Sequence, residues 1–334
     1  MPMSQSKKIE PAFWRVTQVN INGIKGRRLM LVLRTNGCEY AKSPGGGCTM
    51  CGFKNSSCKN VSDDEMKAQL WWAIEGVLSE DKNINQLDLL TLGSFYNDRE
   101  ISPEFRDFAM REISRLPRIK KVVIESRAEY VTKEKLQKSK ELLGDKILEF
   151  SIGLESSDDY IRNSIIKKGL SRNALENCLG LCAETGLDFM AYILIKPPYV
   201  SEKYAILDAV NSANFIFDTA KRQGVNARVS LEPVFIPENA PIEQLYFRNE
   251  YKVPNLWSVI EVVKRLAGRG CIFVGLSDEN LSKDRLTGSC EKCREKLCSA
   301  IERFNETQSA EELYSLNCSC RSGWLREVVD VINM

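Results

Sequence analysis

Apolar segments rich in β-branched and aromatic residues alternate with amphipathic segments along most of the chain. The apolar segments are short and predict strands at 27–35, 86–93, 121–127, 147–156, 188–198, 227–235 and 271–276. The amphipathic segments have helical spacing of their apolar positions and predict helices at 63–80, 103–116, 132–144, 171–186, 203–223 and 254–268. Such an alternation implies right-handed crossovers and predicts a parallel sheet covered by helices.

The residues at the strand ends favour a barrel over an open, doubly wound sheet. No Gly-x-Gly-x-x-Gly sequence follows the first predicted strand, which argues against a dinucleotide-binding domain. Residues suited to binding or catalysis stand instead at the C-terminal ends of the strands, where barrel enzymes carry their chemistry. They are Gly93, Ser94, Phe95, Glu125, Arg127, Glu155, Lys196 and Glu232. The predicted fold class is α/β, a partial (β/α)6 TIM-like barrel over 1–280 with a small cysteine-rich extension over 281–334.

The composition predicts a soluble protein with a sizeable core. The chain has 334 residues, of which 43% are hydrophobic and 28% are charged. No apolar run is long enough to cross a bilayer, and the first 14 residues lack the apolar region of a secretory signal. We therefore expect a cytoplasmic protein with no membrane partner. The 47 basic and 45 acidic residues neither support nor exclude a nucleic acid ligand, because a neutral total can hide a local basic face.

The cysteine and histidine counts restrict the chemistry further. The chain has 12 Cys and no His. A reducing compartment disfavours disulfides, so clustered cysteines indicate metal or redox chemistry. The lack of His removes the usual general base and the commonest nitrogen ligand of metals. A metal site in this protein therefore has to use thiolates, carboxylates or ligands from outside the protein.

Cys38, Cys48 and Cys51 form the first cysteine cluster, in a polar loop directly after the strand predicted at 27–35. The glycines at 45–47 let the backbone fold closely around an inorganic cluster. Three thiolates leave one iron of a cubane cluster without a protein ligand, and this iron is free to bind a cofactor or substrate. The alternative is a structural zinc site completed by Cys58 or another Cys. The position of the loop at the expected mouth of the barrel favours the catalytic interpretation.

This arrangement resembles the radical S-adenosylmethionine (SAM) superfamily. In that superfamily three Cys after the first barrel strand hold a [4Fe–4S] cluster, whose open iron chelates SAM. An aromatic residue often precedes the last Cys; here Met50 has that position and Phe53 follows Cys51 by two residues. The segment 91–95, with Gly93, Ser94 and Phe95, resembles the one that contacts the SAM amino group.

Further segments, in order along the sequence, resemble the family of RaSEA, the radical SAM subunit of archaeosine synthase. They are 93–102, 123–131, 152–156, 166–170, 193–198, 230–235, 253–262, 290–308 and 317–324. The resemblance implies a tRNA substrate that carries a lysine-modified 7-deazaguanine. A 5′-deoxyadenosyl radical attacks the lysine side chain, its C–N bond breaks, and archaeosine results. It also implies an electron donor and a partner, the archaeosine synthase ArcS, that makes the lysine adduct.

The resemblance also suggests roles for the charged residues at the strand ends. Glu125 and Arg127 are candidates for contacts with the ribose and carboxylate of SAM. Glu155 is a candidate to bind a ribose hydroxyl or the lysine ammonium, and Glu232 is a candidate to bind the same ammonium. Lys196 is a candidate to bind a phosphate or a carboxylate. The alternative for each is a solvated or ion-paired group.

Cys290, Cys293, Cys318 and Cys320 form a second cysteine cluster. A Cys-x-x-Cys pair and a Cys-x-Cys pair separated by a helical stretch are typical of a four-cysteine zinc site. Cys298 is an alternative ligand, and a second Fe–S cluster is an alternative occupant. Cys178, Cys182 and Cys271 are expected to be buried free thiols.

Two other functions remain open at this stage. One is a different radical SAM reaction on tRNA or a nucleoside, as in the elongator-like branch. The other is a non-enzymatic, zinc-bound RNA-binding protein, which predicts zinc at both cysteine clusters and no cleavage of SAM. Basic residues gather in several loops, but the tRNA prediction rests on the family resemblance.

Overall fold

The computed structural model describes residues 9–276 and 281–332 and contains an eight-stranded sheet whose strands follow one another in sequence order. β1 and β2 are antiparallel, and β2 to β8 are parallel. The strands are β1 Phe13–Ile21, β2 Ile24–Leu33, β3 Ile84–Thr91, β4 Lys121–Glu125, β5 Ile147–Glu155, β6 Asp188–Ile195, β7 Ala227–Pro233 and β8 Cys271–Val274.

Helices connect the parallel strands and cover the outside of the sheet. They are α1 Glu39–Lys42, α2 Phe53–Ser56, α3 Asp63–Glu75, α4 Val77–Glu80, α5 Pro103–Ser114, α6 Lys133–Leu143, α7 Arg172–Thr185, α8 Glu202–Gln223, α9 Pro241–Phe247, α10 Leu256–Leu266, α11 Glu291–Thr307, α12 Glu311–Ser315 and α13 Arg321–Ile332. The prediction of a parallel (β/α) barrel is confirmed, with β2 to β7 as its six predicted strands and β8 as the seventh.

Two features of the fold differ from the sequence-based prediction. β1 was missed, so the strand predicted first is the second strand of the sheet. Its signal was the Asn22-Gly23 pair, whose φ angles of 50° and 87° form the tight turn between β1 and β2. The helix predicted over 63–80 is interrupted at Gly76, where α3 ends and α4 begins.

Helix α11 covers the free edge of β8. The side-chain amide of Asn305 accepts a hydrogen bond from the Val274 N–H at 2.8 Å and donates to the Val274 carbonyl at 2.9 Å. Gln308 makes the same pair of bonds with Ile272, at 2.9 and 2.8 Å. These amides satisfy backbone groups that an edge strand would otherwise leave unpaired. On the other side of the gap, Asn20 of β1 donates to the Glu306 carbonyl at 3.2 Å. The helix thus bridges β1 and β8 in a nearly closed barrel.

Buried ion pairs fill the barrel near the N-terminal ends of the strands. Glu149 on β5 pairs with Lys121 on β4 and with Arg228 on β7, each at 2.6 Å. Arg28 on β2 pairs with Asp88 on β3 at 2.8 Å. These side chains interlock across the barrel, and the open space above them lies toward the C-terminal ends of the strands.

The C-terminal segment packs against the barrel. Leu297, Ile301, Phe304 and Trp324 belong to the same hydrophobic cluster as the barrel strands. The division of the protein near residue 280 stays a prediction. No helix in the described ranges is long and apolar enough to span a membrane.

Candidate active site

A cavity of about 640 Å³ opens at the C-terminal ends of the barrel strands. Its volume lies within the range of small-molecule and cofactor sites. Ten of the site residues predicted from the sequence line it: Cys38, Cys48, Cys51, Phe53, Gly93, Ser94, Glu125, Arg127, Glu155 and Glu232. The fold therefore brings together side chains that are up to 194 residues apart in the sequence.

Backbone hydrogen bonds hold the loop that carries the three cysteines in place. Cys38 precedes α1, and the Cys51 N–H donates to the Cys48 carbonyl at 3.2 Å, so the last two cysteines share a tight turn. Between them, the N–H of Thr49 donates to the Ile166 carbonyl, and the carbonyl of Thr49 accepts from Ile242, both at 3.0 Å. A β-carbon at Gly46 would lie 2.0 Å from the Tyr40 carbonyl oxygen, so only glycine fits this turn.

The three thiols share one environment. Burial raises the pKa of Cys38 and Cys48 and raises that of Cys51 to about 12. Negative charge on one of these sulfurs also raises the pKa of its neighbours. Thiolates are the species that bind metals, so a cationic metal group is the natural counter-charge for three half-buried thiols that line one cavity. Their number and position fit a cluster with one open iron. Cys58 instead lies in the hydrophobic core.

Glu100 fixes the backbone around Gly93 and Ser94 next to the cysteine loop. One of its carboxylate oxygens accepts from the Ser94 N–H at 2.6 Å, and the other accepts from the Glu39 N–H at 2.8 Å. A β-carbon on Gly93 would lie 1.8 Å from the first oxygen and 3.0 Å from the Cys38 α-carbon. The close approach of the β3 end to the cysteine loop therefore requires glycine at position 93.

Glu155 and Lys168 form an ion pair inside the cavity. The Lys168 ammonium donates to a Glu155 carboxylate oxygen at 2.7 Å. Glu155 has a φ of 69°, and the β5–β6 register shifts between Gly153 and Glu155. Unfavourable backbone angles at non-glycine residues often occur at functional sites. Burial opposes the charge on the ammonium, but the negative groups around it, with Glu155 first among them, together outweigh burial and raise the pKa of Lys168.

Glu125 and Glu232 also line the cavity. Burial, with a smaller contribution from the charge of Glu155, raises the pKa of each carboxyl to about 7. Lys168 lowers the pKa of Glu125, and a hydrogen bond from Ser230 at 2.6 Å lowers that of Glu232. Carboxyls poised near neutral pH in a cleft are typical of functional sites.

Comparisons with known proteins of similar sequence or fold support the barrel architecture described above. No sequence-family model matches the protein. A radical SAM methyltransferase from Sphaerobacter thermophilus superposes with a TM-score of 0.50 over 81% of this chain and 76% of that one, at 14% identity, which shows a shared fold.

Two relatives match almost the full length of the sequence. An uncharacterized protein of Methanocaldococcus jannaschii is 30% identical over 322 residues, 94% of this chain and 85% of the relative. Archaeosine synthase subunit beta of Methanosarcina acetivorans is 28% identical over 325 residues, 96% of this chain and 90% of the relative. The chain belongs to the radical SAM family of archaeosine synthase subunit beta.

Two residues that the family resemblance suggested for the site lie elsewhere. Phe95 is fully buried in the core beside Tyr96. Lys196 pairs with Glu202 at 2.8 Å and donates to the Lys252 carbonyl at 2.8 Å. Neither residue is among those that line the cavity. For Lys196 the structure thus provides the ion pair that the sequence left open as an alternative.

Arg127 lines the cavity but is held by the protein itself. Its guanidinium lies 3.9 Å from the ring centre of Tyr40 and donates to Glu129 at 2.5 Å. It also donates to the carbonyls of Lys168 and Gly169, at 2.9 and 3.2 Å. Arg127 therefore connects the end of β4 to the loop that carries Lys168.

Four further residues of this candidate site were given no role in the sequence analysis. Lys168, Tyr192 and Arg28 line the cavity, and Glu100 positions its backbone. Tyr192 and Arg28 lie inside strands, where residues that face the barrel interior alternate with residues that face outward. That alternation was the available signal. Glu100 lies within the 93–102 segment that the family resemblance had singled out.

The four cysteines of the C-terminal cluster meet at one point. The sulfur of Cys290 lies 3.5 Å from that of Cys293 and 3.6 Å from that of Cys318, and Cys293 lies 3.6 Å from Cys320. All four sulfurs lie within 4.8 Å of one another. Tetrahedral zinc, with Zn–S bonds of about 2.3 Å, places its sulfurs a little under 4 Å apart. A cubane core would separate them further, so the spacing fits a single ion. Cys298 is not part of this group.

Proposed function

We propose that the protein is a radical SAM enzyme of the archaeosine synthase type. It breaks the C–N bond in the lysine substituent of a lysine-modified 7-deazaguanine in tRNA and leaves archaeosine. The observation that carries the proposal is one cavity that joins three half-buried thiols to a cluster of carboxylates. The name of the Methanosarcina relative supports the choice of reaction within the superfamily.

The cysteine side of the cavity is the proposed cofactor site. Cys38, Cys48 and Cys51 would hold the [4Fe–4S] cluster, and the backbone at Gly93 and Ser94, with Arg127 and Phe53, would border SAM. When bound, these two groups supply the 5′-deoxyadenosyl radical.

The residues of the protein position the reactants and exclude water. Leu90, Leu92, Met30 and Val32 give one wall of the cavity an apolar surface, which protects a reactive species from solvent. The Glu155–Lys168 pair holds the end of β5 to the loop that carries Lys168, and its charges act on both Cys48 on the cofactor side and Glu125. Glu232 is proposed to face the substrate. We assign Lys196 no part in the reaction.

The C-terminal cysteines are proposed to hold a structural zinc ion. The indole N–H of Trp257 on α10 donates to the Cys320 sulfur at 3.4 Å, so the site joins α10 to the start of α13. Hydrogen bonds to the ligand sulfurs stabilise such sites.

The proposed partners follow from the reaction. The substrate is tRNA, an electron donor reduces the cluster, and a second subunit, archaeosine synthase ArcS, makes the lysine adduct. The term subunit in the name of the Methanosarcina relative supports the expectation of a complex.

Anaerobic reconstitution tests the proposal. Iron and sulfide content and the visible spectrum are recorded, and dithionite and SAM are then added to wild type, Cys48→Ala and Cys298→Ala. Wild type and Cys298→Ala are expected to form 5′-deoxyadenosine, and Cys48→Ala is not. With tRNA bearing the lysine adduct, wild type is expected to yield archaeosine.

Each failure of this experiment has a separate meaning. Formation of 5′-deoxyadenosine with an unchanged nucleoside profile would favour a different radical SAM reaction, as in the elongator-like enzymes. Equal 5′-deoxyadenosine from wild type and Cys48→Ala would remove the enzyme assignment and favour a zinc-bound RNA-binding protein.

A further inference from the structure

Two carboxylates in the cavity have no cationic partner. The described residues place no ammonium or guanidinium within 4.0 Å of Glu125 or Glu232, whereas Glu155 has Lys168 at 2.7 Å. Glu232 accepts one hydrogen bond, from the Ser230 hydroxyl at 2.6 Å. A β-carbon on Gly275 would lie 2.0 Å from the other Glu232 oxygen, so β8 leaves space for this carboxylate.

The cations that line the cavity are already engaged. Arg28 pairs with Asp88 at 2.8 Å, donates to Thr17 at 3.0 Å and lies 3.9 Å from the ring centre of Phe273. Arg127 pairs with Glu129, and Arg15 donates to the Leu276 carbonyl at 3.0 Å. None of these pairs includes Glu125 or Glu232, so this part of the cavity carries an excess of negative charge whenever both carboxyls are ionised.

A carboxylate that is half-buried and has no counter-ion, as Glu125 and Glu232 are, is unfavourable, and a cationic ligand group removes that cost. Glu125 extends from β4 and Glu232 from β7, and their charges both act on Tyr192 of β6, which lies between the two strands in the order of the sheet. Burial raises the pKa of Tyr192, so its phenol stays neutral and can donate a hydrogen bond. The two carboxylates are thus arranged around one region of the cavity.

We propose that Glu125 and Glu232 together bind the free α-ammonium of the lysine substituent and select substrates that carry a positive charge there. This inference rests on the proposed function. It moves Glu125 from the cofactor to the substrate and leaves Glu155 as the partner of Lys168. Glu125 and Glu232 select the substrate and take no part in breaking a bond.

Three adduct nucleosides test this selection. The first carries lysine, the second carries 6-aminohexanoate and lacks only the α-amino group, and the third carries 1,5-diaminopentane and lacks only the carboxylate. Equilibrium binding to the anaerobic holoenzyme with SAM, without dithionite, measures affinity in the absence of turnover. Wild type is expected to bind the lysine and diaminopentane adducts about 10- to 100-fold more tightly than the aminohexanoate adduct.

Three glutamine variants test which carboxylates cause the preference for the ammonium. Glu125→Gln and Glu232→Gln keep the side-chain shape, and each is expected to lower the preference for the ammonium at least about fivefold. Both should bind the aminohexanoate adduct as wild type does. Glu302→Gln removes another carboxylate from the cavity wall, on α11, and is the matched control, which should keep the full preference.

Two results would overturn the inference. One is a wild type that binds the aminohexanoate and lysine adducts equally. The other is a preference that survives in both glutamine variants or disappears in Glu302→Gln. The proposed function is judged separately, from the 5′-deoxyadenosine and archaeosine that wild type forms under reducing conditions.

Discussion

Lys168 and Glu155 lie 2.7 Å apart, and Gly153 leaves the space in which they meet. A β-carbon at position 153 would lie 2.3 Å from both the Lys168 ammonium and the Glu155 carboxylate. This pair acts electrostatically both on Cys48 in the cysteine loop and on Glu125, one of the two unpaired carboxylates. It therefore links the proposed cofactor side of the cavity to the proposed substrate side.

Removal of one partner of this pair is expected to be costly. Lys168→Met leaves the buried Glu155 carboxyl without its cation and close to two other carboxyls, and should lower the free energy of unfolding by about 3 kcal/mol. Urea unfolding at pH 8 measures the loss. The control is Lys133→Met, which breaks the exposed pair of Lys133 and Glu184 at 2.8 Å and should cost much less than the loss of the pair in the cavity. Equal losses in the two variants would show that the Glu155–Lys168 pair is solvated.

The unpaired carboxylates predict an unusual pH dependence of stability. The pKa of Glu125 is about 7 in the folded protein and its ordinary value is 4.5, so the folded protein holds this proton more tightly than the unfolded protein does. Stability therefore falls as the pH rises from about 4.5 to 7. Glutamine does not ionise and escapes this loss. Glu125→Gln should be more stable than wild type by about 3 kcal/mol at pH 8 and no more stable at pH 4.

Unfolding of both proteins in urea across this pH range measures the difference. A gap that stays constant from pH 4 to pH 8 would contradict the raised pKa. The same variant is expected to discriminate substrates less well, so a gain in stability would accompany a loss of function. Such a trade-off is common where a binding site keeps an unfavourable charge.

Local sequence features made the cysteine loop and the strand ends predictable. The spacing of Cys38, Cys48 and Cys51 is a short-range property, and the apolar runs placed β2 to β8 in order. Parallel strands bring their C-terminal ends to one face, so the strand pattern alone was enough to expect Glu125, Glu155 and Glu232 near one another.

Pairing between side chains was not predictable in the same way. Lys168 comes from a loop 13 residues after Glu155, and no pattern in the sequence shows that the loop turns back into the barrel. Lys196 and Glu125 look alike at strand ends, yet one has Glu202 at 2.8 Å and the other has no ion pair among the described residues. The geometry of the loops decides which charged side chain forms an ion pair, and the sequence pattern does not encode that geometry.

The contact between Gly93 and Glu100 predicts a specific effect on SAM binding. A methyl group at position 93 would displace the Glu100 carboxylate, which holds the N–H groups of Ser94 and Glu39. Gly93→Ala should weaken SAM binding by about tenfold or more, measured by equilibrium dialysis with the reconstituted cluster. Gly180→Ala on α7 is the control, because its β-carbon would have only Gln223 nearby, at 3.8 Å. Unchanged SAM affinity in Gly93→Ala would place SAM elsewhere.

The C-terminal cysteines predict a link between metal content and the edge of the barrel. Cys290 and Cys293 lie at the start of α11, and Asn305 and Gln308, at its other end, bond the edge of β8. Loss of the ion should loosen the helix. Cys293→Ser is therefore expected to lose about one zinc ion per protein molecule, to keep its iron, and to exchange the amide hydrogens of β8 faster.

Metal analysis of the reconstituted protein and hydrogen exchange measure the two effects. Cys298→Ser is the control, because Cys298 lies on the same helix but outside the four-sulfur group, so its zinc content and β8 exchange should match wild type. Loss of iron instead of zinc from Cys293→Ser would identify an Fe–S cluster at this site. Zinc loss with unchanged β8 exchange would show that α11 holds the barrel edge without help from the ion, through the side-chain amides of Asn305 and Gln308 alone.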